Sequence, residues 1–313
     1  MLKQISQEIR SIISNYNEND NLIFNNKIMP INKANFTEIS QTNNKETIAF
    51  IDGGQCEIIS TGNFCLSFIR VCAQSFQNNI KKDLLKHEFY LFTRAVWKDN
   101  NLFYESKIYA EQEKIIEETD LEINSTDETL RSGIERAPIT KVANMARRFA
   151  ELKLAQKVKA NIILLDGTLQ PTYKREEKYL SQLNQNTCAL AKTSSLFTTS
   201  GNNPTILLNK IGPIGCWAYQ IDNNSSFVKL HKDAKHIFRF EGNEEHLSIL
   251  SQNCTDALFL GYPYGLIFVD KIARVTNQEK KSLITRFLLD KNNKEIISYL
   301  NASNAHDILD RMG

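Results

Sequence analysis

Two short stretches of the chain decide its fold: TIAFIDGG, residues 47–54, and ANIILLDG, residues 160–167. Each is a continuous apolar run that ends in Asp-Gly, and such runs are typical of strands buried on both faces of a sheet. Pro138 suits the first turn of a helix that runs to about Lys157 and leads into the second stretch. The two stretches therefore predict two buried strands, each ending in a turn that carries an aspartate.

Further segments surround these two runs. Strand-like and helix-like patterns occur at residues 63–76, 88–97 and 102–110 (strands), 172–183 (helix) and 187–193 (strand). The order is antiparallel strands, helix, strand, helix, strand, and it predicts an α/β fold with a mixed sheet flanked by helices. Ribonuclease H-like folds have this order, and the C-terminal third adds further strands and helices to such a core.

The two ends of the chain show different patterns. Apolar residues at helical spacing predict an amphipathic helix over residues 2–15, formed by Leu2, Ile5, Ile9, Ile12 and Ile13. The Asn-rich residues 15–27 predict a loop, because Asn and Asp favour turns. Residues 111–136 predict a surface helix or excursion, and a closing helix is expected from about Lys294 to Met312. We expect residues 1–45 to form an N-terminal extension and 46–313 the main domain.

Composition narrows the functional class. The 313 residues include 42% hydrophobic and 24% charged side chains, and the formal net charge is +2, so contact with nucleic acid must be local. Basic residues concentrate between Lys141 and Lys178, either as a phosphate-facing patch or as a solvated helix face. Six scattered cysteines without zinc spacing predict reduced thiols. Without a run of 18 apolar residues, the sequence predicts a cytoplasmic protein.

Asp52 and Asp166 are the first candidates for chemistry. Each follows a predicted buried strand and precedes glycine, so two carboxylates at adjacent strand ends would share a divalent metal ion. The alternative is an ordinary turn, since Asp-Gly is among the commonest turn dipeptides. Glu151, on the helix before Asp166, lies at the border of the apolar stripe. Spacing alone favours its pairing with Arg147 or Arg148 on an exposed face.

Several motifs together resemble the NurA family of DNA repair nucleases. They are IDGG, RRFAELKLA, LLDGTL, ALAKTS and GYPYGLIFVDKIARV, in this order between about Thr47 and Val275. The resemblance implies a ribonuclease H-like core, DNA end processing that depends on manganese or magnesium (Mn²⁺ or Mg²⁺), a homodimer, and a HerA-type hexameric translocase as partner. It makes residues 46–313 a NurA-type nuclease domain.

The same resemblance assigns the site residues. Asp52 and Asp166 match the family's metal-binding aspartates, Glu151 its helical glutamate, and Tyr262 the tyrosine of its GYP motif. Archaeal members have a histidine eight residues after that tyrosine, and this chain has Asp270 there. A carboxylate is also a hard ligand for Mg²⁺ or Mn²⁺, although Asp270 is equally suited to a helix cap or a salt bridge with Lys271 or Arg274.

The remaining candidates have weaker patterns. Tyr262 is suited to contact a phosphate or base, or simply to pack as a half-buried aromatic. Lys192, Arg147 and Arg148 are candidate DNA contacts, and Lys192 would place positive charge near the scissile phosphate. The histidines lack metal spacing and are set aside as structural or surface residues: His231, His236 and His306.

These residues predict a divalent-metal-dependent deoxyribonuclease that hydrolyses phosphodiester bonds, with two metal ions about 4 Å apart. One alternative is a non-catalytic DNA clamp of the same fold, in which Asp270 has cost the site its metal. Another is an actin- or sugar-kinase-like ATPase, which normally needs two duplicated halves. The chain lacks a phosphate-binding loop, so unwinding requires an ATP-driven partner, for which residues 2–15 are the candidate surface.

Overall fold

The computed structural model describes residues 1–14, 20–40, 45–111, 113–131 and 133–303. His306, the end of the predicted closing helix, and residues 15–19 of the predicted loop lie outside these ranges.

The described chain contains strands and helices in alternating blocks. The strands are β1 Asn21–Phe24, β2 Lys27–Pro30, β3 Phe36–Glu38, β4 Thr47–Ser60, β5 Phe64–Gln77, β6 Ile80–Lys98, β7 Asn101–Tyr109, β8 Ile123–Asn124, β9 Ile162–Asp166, β10 Thr187–Ala191, β11 Phe197–Thr198, β12 Trp217–Gln220, β13 Ser225–Lys229 and β14 Phe238–Glu241. The α-helices are α1 Leu2–Ser14, α2 Val142–Lys157, α3 Glu177–Leu180, α4 Pro204–Ile211, α5 Leu247–Leu250, α6 Tyr264–Ala273, α7 Asn277–Leu288 and α8 Lys294–Ser303. Short 3₁₀ turns occur at Lys33–Asn35, Glu118–Leu121, Ile139–Lys141, Glu244–His246, Ser251–Cys254 and Lys291–Asn293.

One mixed sheet of eleven strands organises the described part of the chain, in the order β3-β12-β13-β14-β10-β9-β4-β5-β6-β7-β8. β4 pairs antiparallel with β5 and parallel with β9, and β9 pairs parallel with β10. β1 and β2 form a small second sheet with β11. The strands predicted from both apolar runs therefore lie side by side at the centre of the sheet.

The two faces of β4 are covered by different helices, as its alternating side chains require. Ala49 and Ile51 are fully buried in a core cluster with α2, whereas Ile48 and Phe50 are buried in a second cluster with α6. Burying a side chain such as Phe50 contributes roughly 1.5–3 kcal/mol. The central strand is thus sandwiched between two helices, and its register is fixed from both sides.

Three hairpins turn through asparagine- and aspartate-rich pairs with positive φ. They are Asn25-Asn26, Asn78-Asn79 and Asp99-Asn100, with φ between 46° and 59°. Two-residue turns of this kind match the twist of the adjoining strands, and Asn and Asp tolerate the left-handed region better than other non-glycine residues. The long β5–β6 and β6–β7 hairpins follow from these turns.

Several sequence predictions need correction. Asp52 does not end a strand, because β4 continues through Gly53-Gly54 to Ser60. The Asn-rich segment contains the β1–β2 hairpin, whose Leu22 and Phe24 are buried. Its apolar NLIF outweighs the turn-forming asparagines.

Other corrections concern the helices and the basic segment. The predicted helix over residues 172–183 shortens to Glu177–Leu180. Residues 111–136 are not purely a surface excursion, since Leu121, Ile123 and Leu130 are buried in the core. Three lysines of the basic segment pair with acids instead of forming one free patch: Lys157 with Glu113, Lys174 with Asp127 and Lys178 with Asp120.

The six cysteines are free, as predicted, and all except the partly exposed Cys216 are buried. Among the described helices, none has both the length and the apolar character needed to cross a membrane.

Candidate active site

Asp52 and Asp166 lie next to each other on adjacent parallel strands. Ile51 of β4 pairs with Leu165 of β9, so the two aspartates are the residues that follow the last pair on each strand. Because side chains alternate along a strand, both carboxylates are on the same face as Phe50, the face covered by α6. Asp52 is only 7% exposed. The sequence prediction that these two acids are neighbours agrees with this geometry.

Glu151 approaches β4 from the other face, where α2 packs. A Cβ atom added to Gly53 would lie 2.5 Å from Glu151 Oε1 and 2.8 Å from Arg147 Cγ. Such contacts are far inside van der Waals distance, so glycine is required for the glutamate to come this close to the strand. Glu151 is 3% exposed, and it therefore does not lie on the exposed face that spacing alone favoured.

Basic side chains neutralise two of the three acids. Arg147 Nη1 donates to Glu151 Oε1 at 2.7 Å and to the Gly53 carbonyl at 3.1 Å. Lys192 Nζ, at the end of β10, donates to Asp166 Oδ2 at 2.5 Å. Among the described residues, no cation is hydrogen-bonded to Asp52, which accepts from the Gly53 N–H at 2.7 Å.

The electrostatics of the site follow from this crowding. Burial, followed by the charges of Glu151 and Asp166, raises the pKa of Asp52 from 3.8 to about 7. Burial also raises the pKa of Glu151, although Arg147 and Arg148 oppose the shift. Acidic groups with raised pKa values in one place are typical of functional sites, because structural ion pairs usually have the opposite effect on carboxyl groups.

Tyr262, in the turn before α6, and Asp270, on α6, lie in the same region as these acids. Tyr262 is 4% exposed, and its hydroxyl has no hydrogen-bond partner within the described residues. Burial and then the charges of Asp166, Asp52 and Asp270 raise its pKa, so the phenol stays protonated. Asp270 is about one-third exposed and pairs with Arg274 at 2.6 Å, which is the salt bridge considered from the sequence.

Arg148 takes a position that does not suit the predicted contact with DNA. It is 8% exposed, and its Nε donates to Glu176 Oε1 at 2.8 Å. Its Nη2 donates to the carbonyl of Thr168, two residues beyond Asp166. Glu176, fully buried, also accepts from the backbone N–H groups of Thr172 and Tyr173. Arg148 therefore holds the chain that follows Asp166.

The carboxylate set suits a divalent cation in its chemistry. Hard oxygen ligands are those that Mg²⁺ and Mn²⁺ prefer, and a cation would favour ionised Asp52 against the burial and the neighbouring charges that raise its pKa. In the described residues, no three His, Cys, Asp or Glu side chains converge closely enough to hold a metal ion as they stand. Glu151 is instead paired with Arg147, and Asp166 with Lys192.

Comparison with known proteins bears on the fold. The NurA nuclease from Sulfolobus solfataricus matches 91% of this chain and 92% of its own, with a TM-score of 0.51 and 11% sequence identity. The chain has the fold of NurA. The ribonuclease H-like class and the resemblance to NurA are confirmed at this level.

Two further solved structures are similar at lower TM-scores. The catalytic domain of human endonuclease V has a TM-score of 0.40 and 10% identity, over 82% of this chain and 92% of its own. Endonuclease V from Ciona intestinalis in complex with DNA has a TM-score of 0.39 and 12% identity, over 76% and 87%. No protein-family model matches the sequence, and no curated protein does.

Sequence reasoning missed three parts of this site. The buried acids Glu176 and Glu241 hold the chain after Asp166, and Glu241 accepts from Thr168 Oγ1 at 2.8 Å. Glu176 stands in the charged run KREEK and reads as a surface residue, so its burial gave no signal. His236, set aside as structural or surface, stacks on Phe259 near Tyr262.

Proposed function

We propose that the chain is a divalent-metal-dependent deoxyribonuclease that hydrolyses phosphodiester bonds. The observation that carries the proposal is the gathering of Asp52, Asp166 and Glu151 in a NurA-type fold, where burial and then the charges of the other two acids raise the pKa of Asp52 to about 7. A bound Mn²⁺ or Mg²⁺ ion would supply Lewis-acid stabilisation of a phosphoryl oxygen and a water of lowered pKa.

The protein's own residues would have separate tasks. Asp52 and Asp166 would hold the cation, with Glu151 and Asp270 as further ligands once their partners Arg147 and Arg274 release them. Lys192 would then leave Asp166 and contact the scissile phosphate, as a lysine does as a point charge. The buried Tyr262 hydroxyl is a free donor beside the same acids.

The test is a pair of isosteric substitutions, Asp52→Asn and Asp166→Asn, assayed on end-labelled DNA with Mn²⁺ and with Mg²⁺. Cleavage should fall by at least about a hundredfold in each, on the scale at which lost electrostatic stabilisation acts in active sites. Asp233→Asn, at an exposed aspartate outside the site, is the matched control. A nuclease that is as active with either site substitution as without it would overturn the assignment.

A non-catalytic DNA clamp is the second candidate, and the cation pairing of Glu151 and Asp166 favours it. Calorimetric titration with Mn²⁺ separates the two: a clamp binds DNA with a steep salt dependence but binds no metal at these acids. An actin- or sugar-kinase-like ATPase normally has two duplicated halves. The described residues instead form one large central sheet, which does not support that alternative.

The assembly and setting of the protein belong to the same proposal. We propose a homodimer that acts with a HerA-type hexameric translocase in DNA end processing during double-strand break repair, in the cytoplasm. The support for this is the resemblance of the motifs to NurA and the exposed apolar stripe of α1.

A further inference from the structure

A cavity of about 780 Å³ opens beside the carboxylates. Lys192, Tyr262 and Asp270 belong both to its lining and to the candidate active site. The volume lies within the ~300–1,000 Å³ of typical ligand pockets. Because Lys192 is also the ion-pair partner of Asp166, a ligand bound in this cavity would lie next to the candidate metal-binding acids.

Aromatic rings line one wall of the cavity. Phe259 stacks on His236, with ring centroids 5.1 Å apart and an angle of 19° between the planes. It also meets Tyr262 edge-on at 5.9 Å. Phe259 is 39% exposed, so part of its ring is open to solvent. Such a wall is suited to a flat heterocycle, because stacking on aromatic side chains requires only a π-face.

The polar lining suits the rest of a nucleotide. Lys192, Lys235 and Arg239 line the cavity, where Lys192 pairs with Asp166 and Arg239 pairs with Glu241 at 3.0 Å, and Asp270 is the single acid among the lining residues. The lining also includes Asn203, Thr205 and Asn209, on α4 and the turn before it, which have amide and hydroxyl groups. Such groups donate to and accept from the edges of bases.

An unpartnered polar atom also points to a ligand. The Tyr262 hydroxyl is buried without a hydrogen-bond partner in the described residues, although a buried polar group normally has one. A phosphate oxygen or a base edge entering from the cavity would accept a hydrogen bond from this hydroxyl.

We propose that this cavity binds an unpaired nucleotide of single-stranded DNA, next to the bond to be cleaved. The base stacks on Phe259 and His236, and the backbone phosphate lies near Lys192 and Lys235. The inference rests on the proposed function, since it takes DNA as the substrate. It goes further by assigning a preference for an unpaired strand to Phe259 and His236 in this cavity.

The test is binding of a single-stranded oligonucleotide that carries 2-aminopurine, in EDTA so that no cleavage occurs. Phe259→Leu keeps apolar volume and removes the stacking face, and it should weaken binding by about 5- to 150-fold, the range found for a lost stacking partner. Phe259→Tyr should retain affinity. Phe197→Ala, at an exposed phenylalanine of β11 that does not line the cavity, is the control and should match the wild type.

A relaxed, covalently closed circular duplex, which offers neither an end nor an unpaired nucleotide, provides the second arm. Its affinity should change less than twofold in Phe259→Leu. Wild-type affinity of Phe259→Leu for the single strand, or unchanged 2-aminopurine fluorescence on binding, overturns the inference. Thermal melting of each variant identifies a loss of affinity that results from misfolding. If Phe259→Leu is misfolded, the affinity of Phe259→Tyr for the single strand decides whether the inference holds.

Failure of the proposed function has a different signature. If the wild type does not cleave DNA with Mn²⁺ or Mg²⁺ while Phe259→Leu loses single-strand binding, the nuclease proposal falls and the nucleotide pocket stands. If Asp52→Asn abolishes cleavage while Phe259→Leu binds normally, the pocket alone falls.

Discussion

Asp52 has a buried carboxyl group among like charges, and the protein stabilises it with little more than one backbone N–H. Its neighbours Asp166 and Glu151 each have a basic partner, so the unrelieved charge is concentrated on Asp52. A site arranged in this way stores unfavourable electrostatic energy when all three acids are ionised. Binding of a divalent cation would release that energy.

The stability of the metal-free protein should therefore depend on pH through Asp52. Its pKa is raised on folding from 3.8 to about 7, so its stabilising contribution is complete below about pH 4 and is lost as pH rises towards 7. At about 1.4 kcal/mol for each pH unit, the loss amounts to several kcal/mol. Urea unfolding in EDTA should show a smaller decline between pH 5 and 8 for Asp52→Asn than for the wild type.

Asp233→Asn, at an exposed residue, should leave that pH dependence unchanged. Parallel stability curves for wild type and Asp52→Asn would mean that Asp52 ionises normally and that the site is not crowded.

Lys192 and a metal ion should compete for Asp166. Lys192 is half exposed, and an exposed ion pair is worth about 0.2–1 kcal/mol, so Lys192→Ala should tighten Mn²⁺ binding by roughly 1.5- to 5-fold. The same variant should cleave DNA more slowly, because it has lost a phosphate contact. Calorimetry and the cleavage assay measure the two effects, with Lys174→Ala as the control. Weaker Mn²⁺ binding in Lys192→Ala would count against competition.

The sequence was informative about which acids lie close together. It was less informative about the contacts that bring them together. Asp52 and Asp166 follow two apolar runs that pair in parallel, so their proximity was predictable from the pattern. Glu151 was not, because helix spacing shows its angle but not that Gly53 leaves room for it. The buried pair of Arg148 and Glu176 joins residues 28 positions apart, a contact that only tertiary packing creates.

Among the elements, β4 has the most specific requirements. Gly53 faces α2 and Gly54 faces α6, so each glycine admits a different helix to the strand. The sequence pattern placed a turn at IDGG because Asp-Gly usually ends a strand. Here the pairing of β4 with β5 through Ser60 outweighs that preference.

Gly54→Ala should destabilise the protein and misplace α6. The new Cβ would lie 2.2 Å from the backbone oxygen of Ala273, which cannot move without the helix. Overpacking of this kind costs about 1–3 kcal/mol, and Asp270 and Tyr262 would shift with α6. Urea unfolding and DNA cleavage should both decline. Gly62→Ala is the matched control, since a Cβ there has nothing within 4 Å. Equal stability of the two variants would contradict the close approach of α6 to Gly54.

For the molecule as a whole, α1 stands apart from the core. Its apolar residues are 44–80% exposed in the described structure: Leu2, Ile5, Ile9, Ile12 and Ile13. The helix was predictable from its spacing, but the sequence did not show whether its stripe packs on the body. An apolar stripe left open in this way is typical of a surface that binds another protein.

Removal of residues 1–14 should abolish capture by a HerA-type ATPase and leave DNA cleavage unchanged, because the stripe contributes little to the core. Pull-down with the ATPase and the cleavage assay give the two readouts. Glu8→Gln, on the same helix, serves as the control variant. Undiminished capture by the truncated protein would place the partner surface elsewhere.

The position of Asp52 within a continuous central strand also has a consequence for motion. Backbone amides of β4 that are hydrogen-bonded to neighbouring strands should exchange with solvent deuterium only on global unfolding, unlike those of a surface loop. Local opening of the backbone at Asp52 would therefore be rare on the timescale of turnover. Substrate entry and product release would therefore depend on side chains and not on the backbone, with Lys192 and Arg147 leaving their carboxylate partners Asp166 and Glu151.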